Sequence, residues 1–143
     1  MKSEKVALIF GGARGIGAAI ATRLAKEGYR VAVTWVSRPD RANALVSSIT
    51  DAGGVALAIN ADSADATAIQ AAVDATINHY GRLDVAVVNA GVLRLGMLED
   101  YQLDDLDATL SVNVRGVFLS VQAAAKRMRE GGRIITIGSN TAV

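Results

Sequence analysis

Cysteine is absent from the 143 residues, and histidine occurs once. With no thiol there is no disulfide framework, no cysteine nucleophile and no thiolate metal site. A single His79 excludes a histidine-rich metal centre, so no metal site is expected. His79 itself precedes Tyr80-Gly81 at a helix end, where it reads as a partner of the helix dipole. Charge of one sign is lacking too: 15 basic against 14 acidic residues leave a net +1. That balance gives no basic face for nucleic acid or for a membrane surface. Long apolar runs are missing as well. Val6–Phe10, after Met1-Lys2, is five residues before Gly11, too short for a signal segment or a membrane span. The absence of cysteine fits a reducing, cytoplasmic setting. Proline occurs once against 14 glycines, which points to tight turns and close backbone approaches.

What is present is apolar residue in abundance, 51% of the chain, enough for one domain with a real core over residues 1–143. Short β-branched runs alternate with longer helical ones. Val6–Phe10 reads as a strand buried on both faces. Ile16, Ile20 and Leu24 recur at steps of four, Lys26 fills the last turn, and Gly28 supplies a stop. A second strand is expected over Val31–Val36. A helix follows with Ser37 as its cap, Pro39 in the first turn and Asp40 at the third position, ending at Gly53-Gly54. A third strand covers about Val55–Asn60, and a third helix carries Ile69, Val73 and Ile77 up to Gly81. Leu83–Val88 makes a fourth strand, Leu103 to Glu130 a long helix, and Arg133–Gly138 a fifth strand. Met97 and Met128 read as packing residues. Repeated β-α units with right-handed crossovers predict an α/β fold, a doubly wound parallel sheet of Rossmann type.

The first strand runs into Gly11-Gly12-Ala13-Arg14-Gly15-Ile16-Gly17. Glycines at 11, 15 and 17 allow a sharp turn into the helix. They also let a pyrophosphate approach backbone N–H groups at the helix N-terminus, where the dipole favours an anion. The plain alternative is a tight turn with no ligand, and the position between a buried strand and an amphipathic helix speaks for the cofactor.

The spacing G-x-x-x-G-x-G resembles the cofactor turn of the short-chain dehydrogenases/reductases, with Phe10 where that family usually has threonine. The resemblance continues in order along the whole chain. Asp62-Ser63 is similar to the family's acidic contact to the adenine amino group, and either residue equally suits a helix cap. Asn89-Ala90-Gly91 matches the end of the family's Asn-Asn-Ala-Gly motif, with Val88 in place of the first Asn. Read as chemistry alone, it is a small-residue exit turn at the edge where such sheets bind ligands. Asn113 looks like the family's active-site helical Asn, which is linked through water to the catalytic Lys, and Ser139 like its catalytic Ser at the tip of the fifth strand. On their own these read as a solvated helix residue and an ordinary loop start.

NAD-preferring folds usually end the second strand with a carboxylate for the ribose 2′-OH, whereas a 2′-phosphate calls for arginine. Here that strand ends without an acid, Trp35 stands near its place, and Arg14, Ser37 and Arg38 lie around it. NADP(H) is therefore the expected cofactor, bound through Gly11, Arg14, Gly15, Ile16, Gly17, Ser37, Arg38, Asp62, Ser63, Asn89, Ala90 and Gly91. Taken as bland surface chemistry, Arg38 is a solvated side chain and Ser37 a helix cap.

The resemblance implies hydride transfer between a nicotinamide and an alcohol/carbonyl pair, with a 3-oxoacyl-thioester or similar carbonyl as substrate, the 3-oxoacyl-acyl-carrier-protein reductase branch being nearest. It implies a homodimer or homotetramer as well. The family's proton donor is the Tyr of Tyr-x-x-x-Lys, whose Lys lowers the Tyr pKa. Tyr29, Tyr80 and Tyr101 have no Lys four residues on. The expectation is a fragment of a longer chain, its sheet cut after the fifth strand, which binds nucleotide but does not turn over. Ile134–Ile137 would then be a bare apolar edge. Two rivals remain: a truncated, non-catalytic dinucleotide-binding module, and an S-adenosylmethionine-dependent methyltransferase. Asn89-Ala90-Gly91, Asn113 and Ser139 together speak against the second.

Overall fold

The computed structural model describes residues 4–140. Met1 and Lys2, weighed above as a signal start, and the chain end at Val143 lie outside the described residues. Five parallel strands, β1 (Val6–Phe10), β2 (Arg30–Trp35), β3 (Val55–Asn60), β4 (Val85–Val88) and β5 (Arg133–Thr136), form one sheet in the order β3-β2-β1-β4-β5. The expected doubly wound sheet is therefore present. The chain reverses direction of travel between β1 and β4, and a ligand cleft opens at that switch point in such sheets.

The two faces follow from strand alternation. Ala7 and Ile9 of β1 face the layer of α1 (Gly15–Lys26) and α2 (Pro39–Asp51), packing with Ala21, Ala25 and Ile49. Leu8 and Phe10 face the layer of α3 (Ala66–Tyr80) and α5 (Val117–Arg127), with Ile69, Val73, Ala123 and Ala124. Alanines on the inner helix faces let the helices sit close to the sheet. Val117, Val121 and Met128 pack on this second layer, so that face of the long helix serves the sheet.

Helix ends obey their local chemistry. After α1, Gly28 takes φ +92°, its N–H bonding Ala25 O while the Tyr29 N–H bonds Leu24 O. After α2, Gly53 and Gly54 repeat the pattern onto Thr50 and Ile49. Gly81, at φ +85°, closes α3.

Several expectations shift. The second strand starts and ends one residue early, β4 begins at Val85, and β5 ends at Thr136. Ser37 does not cap α2. Arg38 holds the cap position without a side-chain cap bond, and Asp40 stands one place nearer the start. The reason is local: the Arg41 and Ala42 N–H groups bond Arg38 O, so helical bonding begins one residue later than a Ser37 cap requires. Asp62 and Ser63 do not cap α3 either. Asp65 does, accepting from the Thr67 and Ala68 N–H groups. Asp62 instead closes a turn by accepting from the Ala64 N–H.

The long helix is not uniform. It runs as α4 (Leu103–Leu110), a wide π turn (Ser111–Gly116) and α5, and stops at Arg127 because Met128 is extended. The wide turn lies against the loop after β3. A Cβ on Gly116 would stand 2.2 Å from Ser63 O, and Arg115 donates to Ala64 O. Such turns often mark functional sites. No helix among the described residues is long and apolar enough to cross a membrane.

Candidate cofactor site

At the C-terminal ends of β1, β2 and β4 lies a cleft of about 790 Å³, within the range of small-molecule sites. Its floor is the turn after β1. Gly11 adopts φ +70°, and a Cβ there would sit 2.8 Å from Ala90 Cα. Glycine is thus required twice, by backbone conformation and by the approach of the β4 exit. The Gly11 N–H donates to Thr34 Oγ1 of β2 at 2.8 Å, and Asn89 Nδ2 donates to Gly11 O at 3.0 Å. The turn is pinned from both neighbouring strands. Phe10, where the resembled family has threonine, is buried in the core, and the hydroxyl at the turn comes from Thr34.

Gly17 is buried beneath this turn. A Cβ there would meet Gly11 O at 2.5 Å and Asn89 Nδ2 at 2.6 Å. It shapes the floor without lining the cleft. Gly15, at φ +55°, has nothing within 4 Å of a built Cβ, so its surface is open to a ligand. Arg14 stands at the α1 cap position with no side-chain cap bond, in contrast to the Asp65 cap of α3. The leading N–H groups of α1 therefore have no side-chain acceptor, and an anion fits there.

Along the rim after β2 stand Trp35, Ser37, Arg38 and Arg41, with Arg14 across from them in the same lining. Arg38 donates from Nε and Nη2 to both Asp40 oxygens, at 3.0 and 2.7 Å. The hydrogen bonds from that guanidinium, outweighing the opposing effect of desolvation, hold the Asp40 carboxyl at about 2. Arg41 was not singled out from the sequence. Its place one helical turn into α2 is what brings it to the rim.

Asp62 and Ser63 line the far wall, Ser63 buried and Asp62 exposed. Ala90 and Gly91 line the near wall with Asn89. Asn113 is outside the lining but grips its edge. Its Oδ1 accepts from the Val92 N–H at 2.9 Å and its Nδ2 donates to Val92 O at 2.7 Å. Sitting in the wide π turn, it fixes the backbone that follows Gly91. Ser139 lies three residues beyond β5, exposed and outside the cleft lining. Of the expected residues, the structure thus gathers Gly11, Arg14, Gly15, Ile16, Ser37, Arg38, Asp62, Ser63, Asn89, Ala90 and Gly91 around one cleft. Gly17 and Asn113 support it from behind.

A phosphate-bearing dinucleotide suits these residues. The glycine floor is open where a Cβ would fill it, the helix start lacks an anionic cap, and the rim is cationic.

Comparison with known proteins agrees with this geometry. The family model for short chain dehydrogenases matches residues 5–143. Elsinochrome reductase 1 of Elsinoe fawcettii is 44% identical over 96% of this chain and 51% of its own length. Versicolorin reductase 1 of Aspergillus parasiticus is 42% identical over 96% of this chain and 53% of its own. Among solved structures, a short chain dehydrogenase from Burkholderia cenocepacia in complex with NADP superposes with TM-score 0.93 at 52% identity, over 96% of this chain and 56% of that one. A blue fluorescent protein from a metagenomic library, in complex with NADPH, gives TM-score 0.89 at 47% identity, over 95% of this chain and 56% of its own. The chain spans about half the length of the curated relatives it matches.

Proposed function

The chain belongs to the short-chain dehydrogenase family, and on that premise we propose that it is the cofactor-binding half of an NADP(H)-dependent carbonyl reductase. The observation that carries the cofactor choice is the end of β2. It bears Trp35, Ser37 and Arg38, with Arg14 and Arg41 around it, and no carboxylate where an NAD-selective strand would place one. The relatives in complex with NADP and NADPH support the same choice.

In this reading the cofactor, when bound, supplies or accepts the hydride. The chain's own residues bind, orient and exclude. The uncapped start of α1 and the Gly11–Gly17 turn hold the pyrophosphate by backbone N–H groups, with no side chain to displace. Arg14, Arg38 and Arg41 meet the 2′-phosphate as planar forks. Asp62 accepts from the adenine amino group. Asn89 acts chiefly by holding Gly11 O, so it keeps the turn in shape. Asn113 clamps Val92 and thereby the wall beside the reacting end.

The substrate we propose is a carbonyl compound, a 3-oxoacyl thioester or a similar ketone, oriented by Ser139. The proton comes from a Tyr-x-x-x-Lys motif that the 143 residues do not contain. The 143-residue chain alone is then a nucleotide-binding unit without turnover. The whole protein acts in the cytoplasm as a homo-oligomer. Leu103, Leu106, Leu110, Val114 and Phe118, each exposed at steps of three or four along one stripe of the long helix, support a second copy as the partner.

The test uses the full-length protein. Binding of NADPH and NADH is measured by titration, and NADPH oxidation is then followed with a panel of 3-oxoacyl thioesters and simple ketones. NADPH binding about tenfold or more tighter than NADH is expected, from one or two charge-assisted contacts to the extra phosphate. Equal binding of the two overturns the cofactor choice. NADPH binding with no carbonyl reduced favours a non-catalytic binding module.

A further inference from the structure

The cationic rim is not uniform, and its imbalance deepens the cofactor reading above, on which it rests. Arg14, Arg38 and Arg41 line the cleft, as does Arg94, which is paired with Asp105. Arg38 is already engaged. Its Nε and Nη2 donate to the two oxygens of Asp40, at 3.0 and 2.7 Å, a two-pronged ion pair. Among the described residues, neither Arg14 nor Arg41 has an ion-pair partner.

A guanidinium edge binds one planar or tetrahedral oxyanion in this two-pronged way at a time. Asp40 takes the Nε–Nη2 edge of Arg38, so a 2′-phosphate either competes for that edge or is left with the remaining Nη1 and Nη2 donors. The side chains of the pair are 56% and 62% exposed, so water and salt weaken their bond and it is open to exchange. Asp40 does not line the cleft itself, yet it is two residues from an arginine that does. Its negative charge stands beside the place a dianion would occupy. Among the described residues, no such carboxylate engages Arg14 or Arg41.

We propose that Asp40 is a specificity-setting residue, an internal anion that occupies the fork of Arg38 and so narrows the preference for a 2′-phosphorylated cofactor over its unphosphorylated counterpart. Arg41 and Arg14 then carry the first contact with the 2′-phosphate, and Arg38 offers its Nε–Nη2 edge only by leaving Asp40. A cofactor with a free 2′-OH meets no such competition. The carboxylate thus limits the penalty that a purely basic rim would place on NAD(H).

The test uses the full-length protein with two fragments as probes, 2′,5′-ADP and 5′-ADP, at one ionic strength. Their dissociation constants are measured by calorimetry. The wild type is expected to favour 2′,5′-ADP. Asp40→Asn is expected to tighten 2′,5′-ADP by about three- to tenfold, the worth of one released ion pair and one removed like charge. Binding of 5′-ADP is expected to stay within about twofold. Asp40→Glu keeps the anion and is expected to behave as wild type. In an Arg38→Met background the gain from Asp40→Asn is expected to shrink to about twofold or less, the share of the removed like charge, because there is no fork to release. Arg41→Met is expected to weaken 2′,5′-ADP by about tenfold or more.

Unchanged or weaker 2′,5′-ADP binding by Asp40→Asn overturns the proposal, since Asp40 then only holds Arg38 in place. A gain that persists undiminished without Arg38, or a gain given equally by Asp40→Glu, overturns it as well. These failures differ from failure of the cofactor reading itself, which is a wild type that binds both fragments equally.

Discussion

The two ends of the parallel sheet are built on opposite terms. Where the strands begin, polar groups are closed off. Asp84 is buried beside Leu83. It accepts from the Val6 N–H at 2.9 Å, while Arg82 donates to both its oxygens at 2.8 and 2.7 Å. The Asp84 N–H bonds Val6 O, and the Arg133 N–H bonds Asp84 O, so one residue ties together β1, β4 and β5. Where the strands finish, donors are left available. The start of α1 has no cap, two arginines have no ion-pair partner among the described residues, and Gly15 faces open space. The same strands therefore separate stability from binding, one end satisfied internally and the other reserved for a ligand.

The largest effect expected from breaking this contrast is at Gly11. An alanine there must adopt φ +70° and overlap Ala90 Cα. Gly11→Ala is expected to lose about 3 kcal/mol of stability from strain and crowding combined. The turn then opens, and NADPH binding is expected to disappear in a titration of the full-length protein. Retained binding would show that the turn is softer than its packing implies.

At the opposite end, Asp84→Asn is expected to cost about 2–3 kcal/mol, the range of a charge-assisted bond left unmade in a buried place. Denaturant unfolding measures it, and the preference between NADPH and NADH should not change. The pH dependence follows in sign. Burial pushes the Asp84 carboxyl up, but the bonds from Arg82 and the Val6 N–H, with the Arg82 charge, outweigh it and leave it below its ordinary value. A depressed carboxyl stabilises the fold above its unfolded pKa, and that stability is lost as pH falls through the folded value. Asp84→Asn should therefore flatten the acid limb of a stability–pH curve. An acid limb of the same steepness would assign it to other carboxylates.

The smallest effect lies between the ends. Tyr80 Oη donates to Val31 O at 3.0 Å, bridging α3 to β2. Tyr80→Phe is expected to cost about 1 kcal/mol, the net worth of a neutral hydrogen bond. Burial, opposed slightly by the Arg30 charge, pushes the Tyr80 hydroxyl up to about 12. Its contribution is complete below the ordinary tyrosine value and is lost as pH rises through the folded one. The variant should lose part of the alkaline limb and keep the acid limb that Asp84 governs.

Much of the site was legible because it is written in short-range terms. Gly11, Gly15 and Gly17 follow a buried strand and open a helix, and that order alone requires a turn with exposed N–H groups. The pairing of Arg38 with Asp40 was not legible. Ser37-Arg38-Pro39-Asp40 is equally a helix start with a serine cap, and the choice depends on side-chain geometry two residues apart. Arg41 was missed because nothing in its neighbourhood marks it. Asn113 carried a family resemblance but no hint of its grip on Val92, 21 residues away. The break in the long helix was hidden for the same reason. Gly116 meets Ser63, and contacts of that separation leave no periodic trace.

By itself the sequence determined the alternation of strands and helices, the glycine turn, the glycine stops after the helices and the want of an acid at the end of β2. These depend on backbone sterics and on which residues water rejects within a few positions. Only the tertiary structure decided which arginine is already engaged, which asparagine holds the turn and which holds the wall, and that Asp84 closes the far end. The arginine pairing turns on side-chain geometry two residues apart, and the others on contacts between residues remote in sequence, which exist only once the sheet has brought its strands together.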